Sequence, residues 1–430
     1  MSQATNAPQM SLPNEPTVAT IKTKMKLRDP ITTSVLALLT GLLALRAEGV
    51  SRLAFEGATS WFNIPDLVLN ARLTVIVCFL INLAAAAYSW KQAAARKPQL
   101  KGSLFVVGVL FVLAFLVWTV AGKPDARMPI VSLLVGALTL SIPLIYGSLS
   151  GVVCERTGVI NIAIEGQLLF GAFLGAVVAS LTNNAYVGLL GAALGGALVG
   201  VLLALFTVKL RTDHIIVGVV LNMLVLGLTS FMYSTVLKSS PTLNQVVSLP
   251  KLRIPFLADI PFLGPLFFNQ SILVYLMYVA VIGLQWALFH TKWGLRTRAC
   301  GEHPKAADTV GIKVNRMRWT NVIAASALAG LGGAFFTLGA SLAFSKNMSS
   351  GNGFIALAAM IIGRWNPKGA VAAALLFGFA TNLGSVMQAV GSPLPAEYML
   401  MLPYVVTVLA VAGFVGAVRA PAAEGKAYPE

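Results

Sequence analysis

Few residues in this chain have types and spacing that could do covalent chemistry. Its 430 residues include three histidines and three cysteines, and Cys78, Cys154 and Cys300 are too scattered to draw a disulfide framework or a metal site. Glu302-His303 has no second histidine at helical spacing, so a zinc-peptidase pattern is missing. There is no G-x-x-x-x-G-K-[ST] phosphate loop, which excludes ATP binding of that kind, and no serine nucleophile elbow. Within apolar runs the main acidic residue is Glu165, whereas an ion-coupled pump usually needs several such groups. What remains is polar rather than reactive. Asn161, Asn222, Asn382 and Gln388 fall inside apolar segments, and Asn352 just before a short one. Amides that both donate and accept hydrogen bonds could line a path for a polar solute, or could bond a neighbouring helix. Glu165 has the same two readings, the structural one being a protonated group or a partner of Arg156.

The elements that must position these residues are membrane helices. Hydrophobic residues make up 57 % of the chain and charged ones only 11 %, with a formal net charge of +16. So few charges could not cover a soluble globule, and so much apolar surface excludes disorder for most of the chain. The basic residues fall between apolar runs rather than on one polar surface, which argues against a nucleic-acid binder. Runs long enough for a 30 Å hydrocarbon layer occur near 31–45, 68–90, 103–121, 131–153, 159–181, 186–207, 215–237, 272–290, 320–343, 353–363, 370–390 and 398–418. The expected fold class is therefore all-α, a polytopic integral membrane protein of about ten to twelve transmembrane helices, some of them broken. The segment 353–363 is too short to cross alone; at 1.5 Å per residue it spans about 16 Å and needs irregular backbone to complete a crossing. Lys and Arg are concentrated in alternate loops, which places both termini in the cytoplasm and the chain in a plasma membrane.

This divides the chain into a disordered basic tail (1–29), an N-terminal transmembrane extension (30–125), a core (130–418) and a short cytoplasmic tail (419–430). The first 30 residues lack the apolar core of a signal peptide. Five prolines in the outer segment 238–271 suit a rigid external cap, with a plain surface connection as the alternative. The pairs Gly171/Gly175, Gly191/Gly195 and Gly196/Gly200 predict close helix packing.

The cytoplasmic loop 291–319, TKWGLRTRACGEHPKAADTVGIKVNRMRW, carries seven basic residues and two acids, Glu302 and Asp308. Pro304 suits the first position of a helix, Lys305 to Ala307 favour one, and Gly311 can end it. The pattern predicts a two-turn surface helix over 304–310, either docking a soluble partner or resting on headgroups. This loop resembles the ATPase-coupling loop of permease subunits of ABC importers that serve branched-chain amino acids, simple sugars and nucleosides. The matching residues are Gly294, Arg298, Ala299, Gly301, Glu302, Pro304, Ala306, Ala307, Gly311 and Ile312. ERTGVINIAIEG at 155–166 and NGFIALAAMIIGRWNPKGA at 352–370 resemble segments of the nucleoside-type permeases that work with basic-membrane-protein lipoprotein receptors. The likeness covers roughly residues 130–418.

The resemblance implies a transport subunit, not an enzyme. It implies an ATP-binding partner that carries ATP and Mg2+, a second permease subunit, an external substrate-binding lipoprotein and a lipid bilayer, with no cofactor in this chain and no nucleic acid. Its solute would be a nucleoside, with simple sugars or branched-chain amino acids as the alternative within the family. A self-contained ion-coupled transporter is the alternative outside it. Thr157, Gly158 and Asn161 open the fifth span with helix-poor residues, and residues 349–353 do the same before the short segment. Half-helices beginning there would aim free N–H groups at a cavity, as transporters of polar solutes do. The hydroxyls and base edge of a nucleoside suit the amides of Asn161, Asn222, Asn352, Asn382 and Gln388.

Overall fold

The computed structural model describes residues 27–55, 64–97, 102–123, 126–391, 395, 397–398, 401 and 419–429. The expected basic tail and the expected span 398–418 lie almost wholly outside them. Among the described residues nine helices are long and apolar enough to cross a membrane. They coincide with nine of the expected spans, while 103–121 and 353–363 form the shorter helices Ser103–Thr119 and Asn352–Ile362.

The chain forms two compact units. The first comprises residues 1–46 and 75–115 and holds α1 (Arg28–Arg46) and most of α2 (Ala71–Ala94) and α3 (Ser103–Thr119). Inside it the buried Asn82 amide donates to Thr40 Oγ1 at 3.1 Å, a helix-to-helix bond of the kind expected for polar residues in spans. The second unit begins with a small sheet that the sequence did not announce. Its strand order is β2-β1-β3, with β1 (Val50–Ala54) antiparallel to β2 (Leu67–Asn70) and parallel to β3 (Arg127–Pro129).

The core of this unit is α4 (Ile130–Arg156), whose residues 141–155 are buried without interruption. A helix lined with small and apolar residues on every side can be surrounded completely. The chain continues as α5 (Ile164–Thr182), α6 (Ala185–Ala204), α7 (His214–Met232) and α8 (Ile272–His290). After these come α9 (Lys292–Glu302), α10 (Pro304–Thr309), α11 (Val314–Ala334), α12 (Asn352–Ile362) and α13 (Pro367–Ala389). Helices α6, α7 and α11 each run on into a π-helical turn, ending at Lys209, Leu237 and Ala340. Glycines set the closest approaches. A Cβ on Gly171 would sit 2.5 Å from Gly330 O, one on Gly196 2.6 Å from Gly330 N, and one on Gly195 2.7 Å from Phe170 O. The glycine pairs thus hold α5, α6 and α11 at backbone contact, as their spacing predicts.

The segment 238–271 is ordered, with a 3-10 turn at Pro241–Asn244 and an antiparallel pair of β4 (Lys251–Arg253) and β5 (Asn269–Ser271). The Asn244 side chain fastens it by bonding Phe344 on both backbone groups, at 3.0 and 2.6 Å. This ordered cap agrees with the proline-rich composition.

Candidate functional site

Two interruptions of the helical bundle meet beside α4. The chain leaves α4 at Thr157, turns at Gly158 with φ +99°, and runs back as irregular backbone until α5 begins at Ile164. Ile164 packs against Gly147 and Gly151. At 1.5 Å per residue this sets the start of α5 about 8–13 Å inside the Arg156 end of the bundle. A buried polar network secures the re-entrant segment. Asn161 Nδ2 donates to Gln167 Oε1 at 3.1 Å and Ser150 Oγ at 3.2 Å, and Gln167 Nε2 returns a bond to Asn161 Oδ1 at 2.9 Å. Asn222 on α7 closes the interruption, its Oδ1 accepting from Gly166 N–H at 2.7 Å and its Nδ2 donating to Ile162 O at 2.9 Å. A buried helix start must have its free N–H groups met, and Asn222 meets one of them.

The second interruption is α12. Its first turn abuts that of α5, and the Glu165 carboxyl serves as its cap. Glu165 Oε1 accepts from Ser349 Oγ at 2.6 Å and Gly351 N–H at 2.8 Å, and Oε2 accepts from Gly353 N–H at 2.6 Å. The N–H groups expected to face a cavity are therefore filled by a side chain of the same protein. Asn352 supports the turn by donating from Nδ2 to Ser349 O at 2.7 Å. Only glycine fits at 353, where a Cβ would stand 2.5 Å from Glu165 Cα. We expect Gly353→Ala to lower the thermal midpoint of the purified protein through overpacking of about 1–3 kcal/mol. Gly227→Ala, with nothing within 4 Å of its new Cβ, should leave the midpoint unchanged.

From this cap α12 runs parallel to α4, Ala356 lying on Gly147 and Met360 on Gly151. It ends in a turn whose Arg364 and Trp365 take left-handed φ values of +57° and +51°. There a second buried acid acts: Trp365 Nε1 donates to Glu155 Oε2 at 2.6 Å. Arg156 does not pair with Glu165; its Nε donates to Trp365 O at 2.9 Å. Glu155 and Glu165, ten residues apart in the chain, thus tie down the two ends of one half-helix. Among the other expected pathway residues, Asn382 donates to Leu133 O at 2.7 Å, and Gln388 is exposed towards the end of α13.

The Arg156 end of the bundle carries the expected surface helix. It is α10, Pro304–Thr309, with Pro304 in its first turn and Gly311 at φ +83° just beyond it. Ala306 and Glu302 are exposed, and Ala307 is buried against Cys300 and Val314. Sequence reasoning did not resolve α9, which precedes it. Gly294 and Gly301 belong to α9 and allow its close contacts. A Cβ on Gly294 would lie 2.5 Å from the carbonyl carbon of Leu288, and one on Gly301 2.9 Å from that of Arg156. The Arg298 guanidinium stands 5.2 Å from the Phe289 ring centroid, a cation–π contact, and its Nε donates to Gly294 O at 3.4 Å. Asn321 on α11 bridges Thr297 Oγ1 and Thr157 Oγ1 at 3.0 and 3.1 Å, joining α9 to the first interruption. Helix α11 starts at Val314, six residues before the expected span, and buries Arg318 among backbone carbonyls.

Residues 133–411 match the family described as branched-chain amino acid transport system / permease component. The guanosine ABC transporter permease protein NupQ of Bacillus subtilis is 40 % identical over 311 residues, which cover 70 % of this chain and 97 % of that protein. The nucleoside ABC transporter permease protein NupC of Lactococcus lactis is 40 % identical over 68 % of this chain and 94 % of its own length. The putative glucose ABC transporter permease protein TsgC13 of Haloferax volcanii is 34 % identical over 56 % of this chain and 73 % of its own. No solved structure matches. NupQ and NupC are almost fully spanned by the match, and the chain belongs to this family of ABC transporter permease components.

Proposed function

We propose that the chain forms the membrane pathway of an ATP-driven nucleoside importer in a bacterial inner membrane, with both termini cytoplasmic. The observation that carries the substrate reading is the 40 % identity to NupQ and NupC, named for guanosine and nucleosides, over nearly their whole lengths. The α9–α10 surface, with Gly294, Arg298, Gly301, Glu302, Pro304, Ala306, Ala307 and Gly311, is the contact for an ATP-binding subunit that carries ATP and Mg2+. A second permease subunit and an external receptor lipoprotein complete the complex. Movement of α10 shifts the two half-helices as rigid bodies, and no covalent step falls to this chain. Asn161, Glu165, Asn222 and Asn352 hold the interruptions by internal hydrogen bonds, Asn382 ties α13 to Leu133 on α4, and groups released as these bonds reopen meet the solute together with Gln388.

The 34 % identity to a putative glucose permease favours a sugar as the second reading. Uptake of labelled guanosine into vesicles holding the complete complex should depend on ATP and on the receptor. An excess of unlabelled nucleoside should lower it at least tenfold, while glucose, pentoses and branched-chain amino acids leave it unchanged. ATP-dependent uptake of glucose but not guanosine overturns the nucleoside reading.

A further inference from the structure

Residues 419–429, which the sequence offers only as a short tail, lie across the Arg156 end of the core. Ala423 N–H donates to Gly301 O at 2.9 Å and Ala422 N–H to Glu302 Oε2 at 3.3 Å, so the segment is bonded to α9. Two residues on, Gly425 N–H donates to Gly158 O at 3.1 Å, in the interruption that precedes α5. Arg318 joins the same two parts, its Nη1 donating to Lys426 O at 2.7 Å and its Nε to Thr157 O at 3.2 Å. At the end of the segment Asn315 Nδ2 donates to Tyr428 O at 3.3 Å, and Tyr428 OH donates to Asp308 Oδ2 at 3.0 Å. Among the described residues that last contact is the one side-chain hydrogen bond joining α10 to another element.

We infer that residues 421–428 are a strap that carries displacement of α10 to the interruption at 157–163, with Tyr428 and Glu424 as its positioning residues. The inference rests on reading α10 as the surface moved by the ATPase, and is independent of which solute is carried. The bridge through Asn321 reaches Thr157 from α9; α10 reaches it through Tyr428 and the strap. The segment is a compact turn, closed by Glu424 N–H to Pro421 O at 3.1 Å and Lys426 N–H to Ala423 O at 3.3 Å, and its bonds to α9 and to Gly158 make it stiff enough to pull as well as push.

The strap also holds an acid against an acid. The Glu424 side chain lies beside the buried Glu155 carboxyl, and its Oε2 is buried with no hydrogen-bond partner among the described residues. Two carboxyls so placed are held together by one shared proton and driven apart when both are charged. Burial pushes the Glu424 carboxyl above its ordinary range. The docked strap therefore binds a proton more tightly than the free one. The contribution of this pair to docking is complete below the ordinary glutamate range and is lost as pH rises through the raised value, while the hydrogen bonds of the other strap residues persist. The charged groups bordering the strap are Glu155 and Arg156 on α4, Glu302 on α9, Asp308 on α10, Arg318 on α11 and its own Lys426.

Hydrogen exchange of the complete complex, with and without a non-hydrolysable ATP analogue, tests this without reference to solute. In the full chain nucleotide should change protection at both 302–311 and 157–166. In a chain ending at Ala420 the change at 302–311 should persist, and that at 157–166 should fall at least threefold. Guanosine moved per ATP hydrolysed should fall by a similar factor, whereas a purely structural defect lowers both rates together. Tyr428→Phe with Asn315→Ala serves if the shortened chain does not assemble, and should reproduce the loss. Raising the pH from 6 to 9 should weaken the response at 157–166 in the wild type and not in Glu424→Gln. A full response at 157–166 in the shortened chain, or in the double variant where that chain fails, overturns the strap. Absence of guanosine uptake with these exchange responses intact sinks the substrate reading alone.

Discussion

Glu165→Ala should reduce uptake by at least a hundredfold in vesicles that hold normal amounts of the assembled complex. The substitution removes the acceptor for Ser349 Oγ and for the N–H groups of Gly351 and Gly353. Ser349 can turn, but the two backbone donors are fixed at the start of α12, and Gly353 is buried. Each buried donor left without a partner costs about 1–3 kcal/mol. With two such donors, roughly 4 kcal/mol falls on a single contact between two half-helices. At 1.4 kcal/mol per factor of ten, that displaces their equilibrium by about two to three orders of magnitude. Glu165→Gln should lie between, because its one carbonyl oxygen can accept while its NH2 faces the donors. Uptake normalised to the amount of complex, with ATPase co-purification as the assembly control, gives the answer; wild-type uptake by Glu165→Ala means the cap has no part in transport.

Why this carboxyl was legible as unusual, yet not legible as a cap, follows from chain separation. A buried acid in an apolar run is visible in one dimension, because nearly everything around it is greasy. Its acceptors and donors are not visible, since Ser349 and Gly353 lie 184 and 188 residues away. Arg156, near in sequence and opposite in charge, is the natural local partner, yet it faces Trp365 on the far side of the half-helix. Similarly, Asn161, Asn222 and Asn382 stand out as amides in spans, while the backbone groups they bond are set by tertiary packing. Local signals fared better. Pro304 and Gly311 bracket α10 because they act on their own backbone angles. Composition gave the spans, since a helix must be apolar for a fixed length to cross lipid. Glu155 was missed because it sits at the last turn of a span, where an acid is unremarkable until Trp365 and Glu424 are brought to it. Arg318 was counted among loop charges, and only the fold shows the carbonyls of Thr157 and Lys426, from two distant segments, closing over it.

Replacing residues 302–311 by a Gly-Ser run should abolish co-purification of the ATP-binding subunit and all ATP-dependent uptake. A six-residue helix is too short to persist alone, and α10 holds its form because Ala307 is buried beside Cys300 and Val314. Gly-Ser removes that anchor and the exposed face together. The face itself is mixed: Lys305, Ala306, Asp308 and Thr309 are exposed, and Val310 is 74 % exposed beside them. An apolar side chain so exposed, next to small residues and outside every membrane-crossing helix, has the character of a contact centre rimmed by polar groups. Val310→Asp should therefore weaken ATPase retention at least tenfold without unfolding α10, since the side chain touches little of its own protein. Ala307→Asp should do so by a different route, by expelling α10 from its seat, and should also lower the thermal midpoint. The two variants separate loss of the surface from loss of its support. A Gly-Ser replacement of residues 256–263 in the cap is the control, because it disturbs an ordered loop of similar length on the opposite side of the chain's charge bias. If the ATPase is retained by the 302–311 replacement and lost with the cap, the direction in which force enters this bundle is reversed, and α12 with its two acids is driven from the other side.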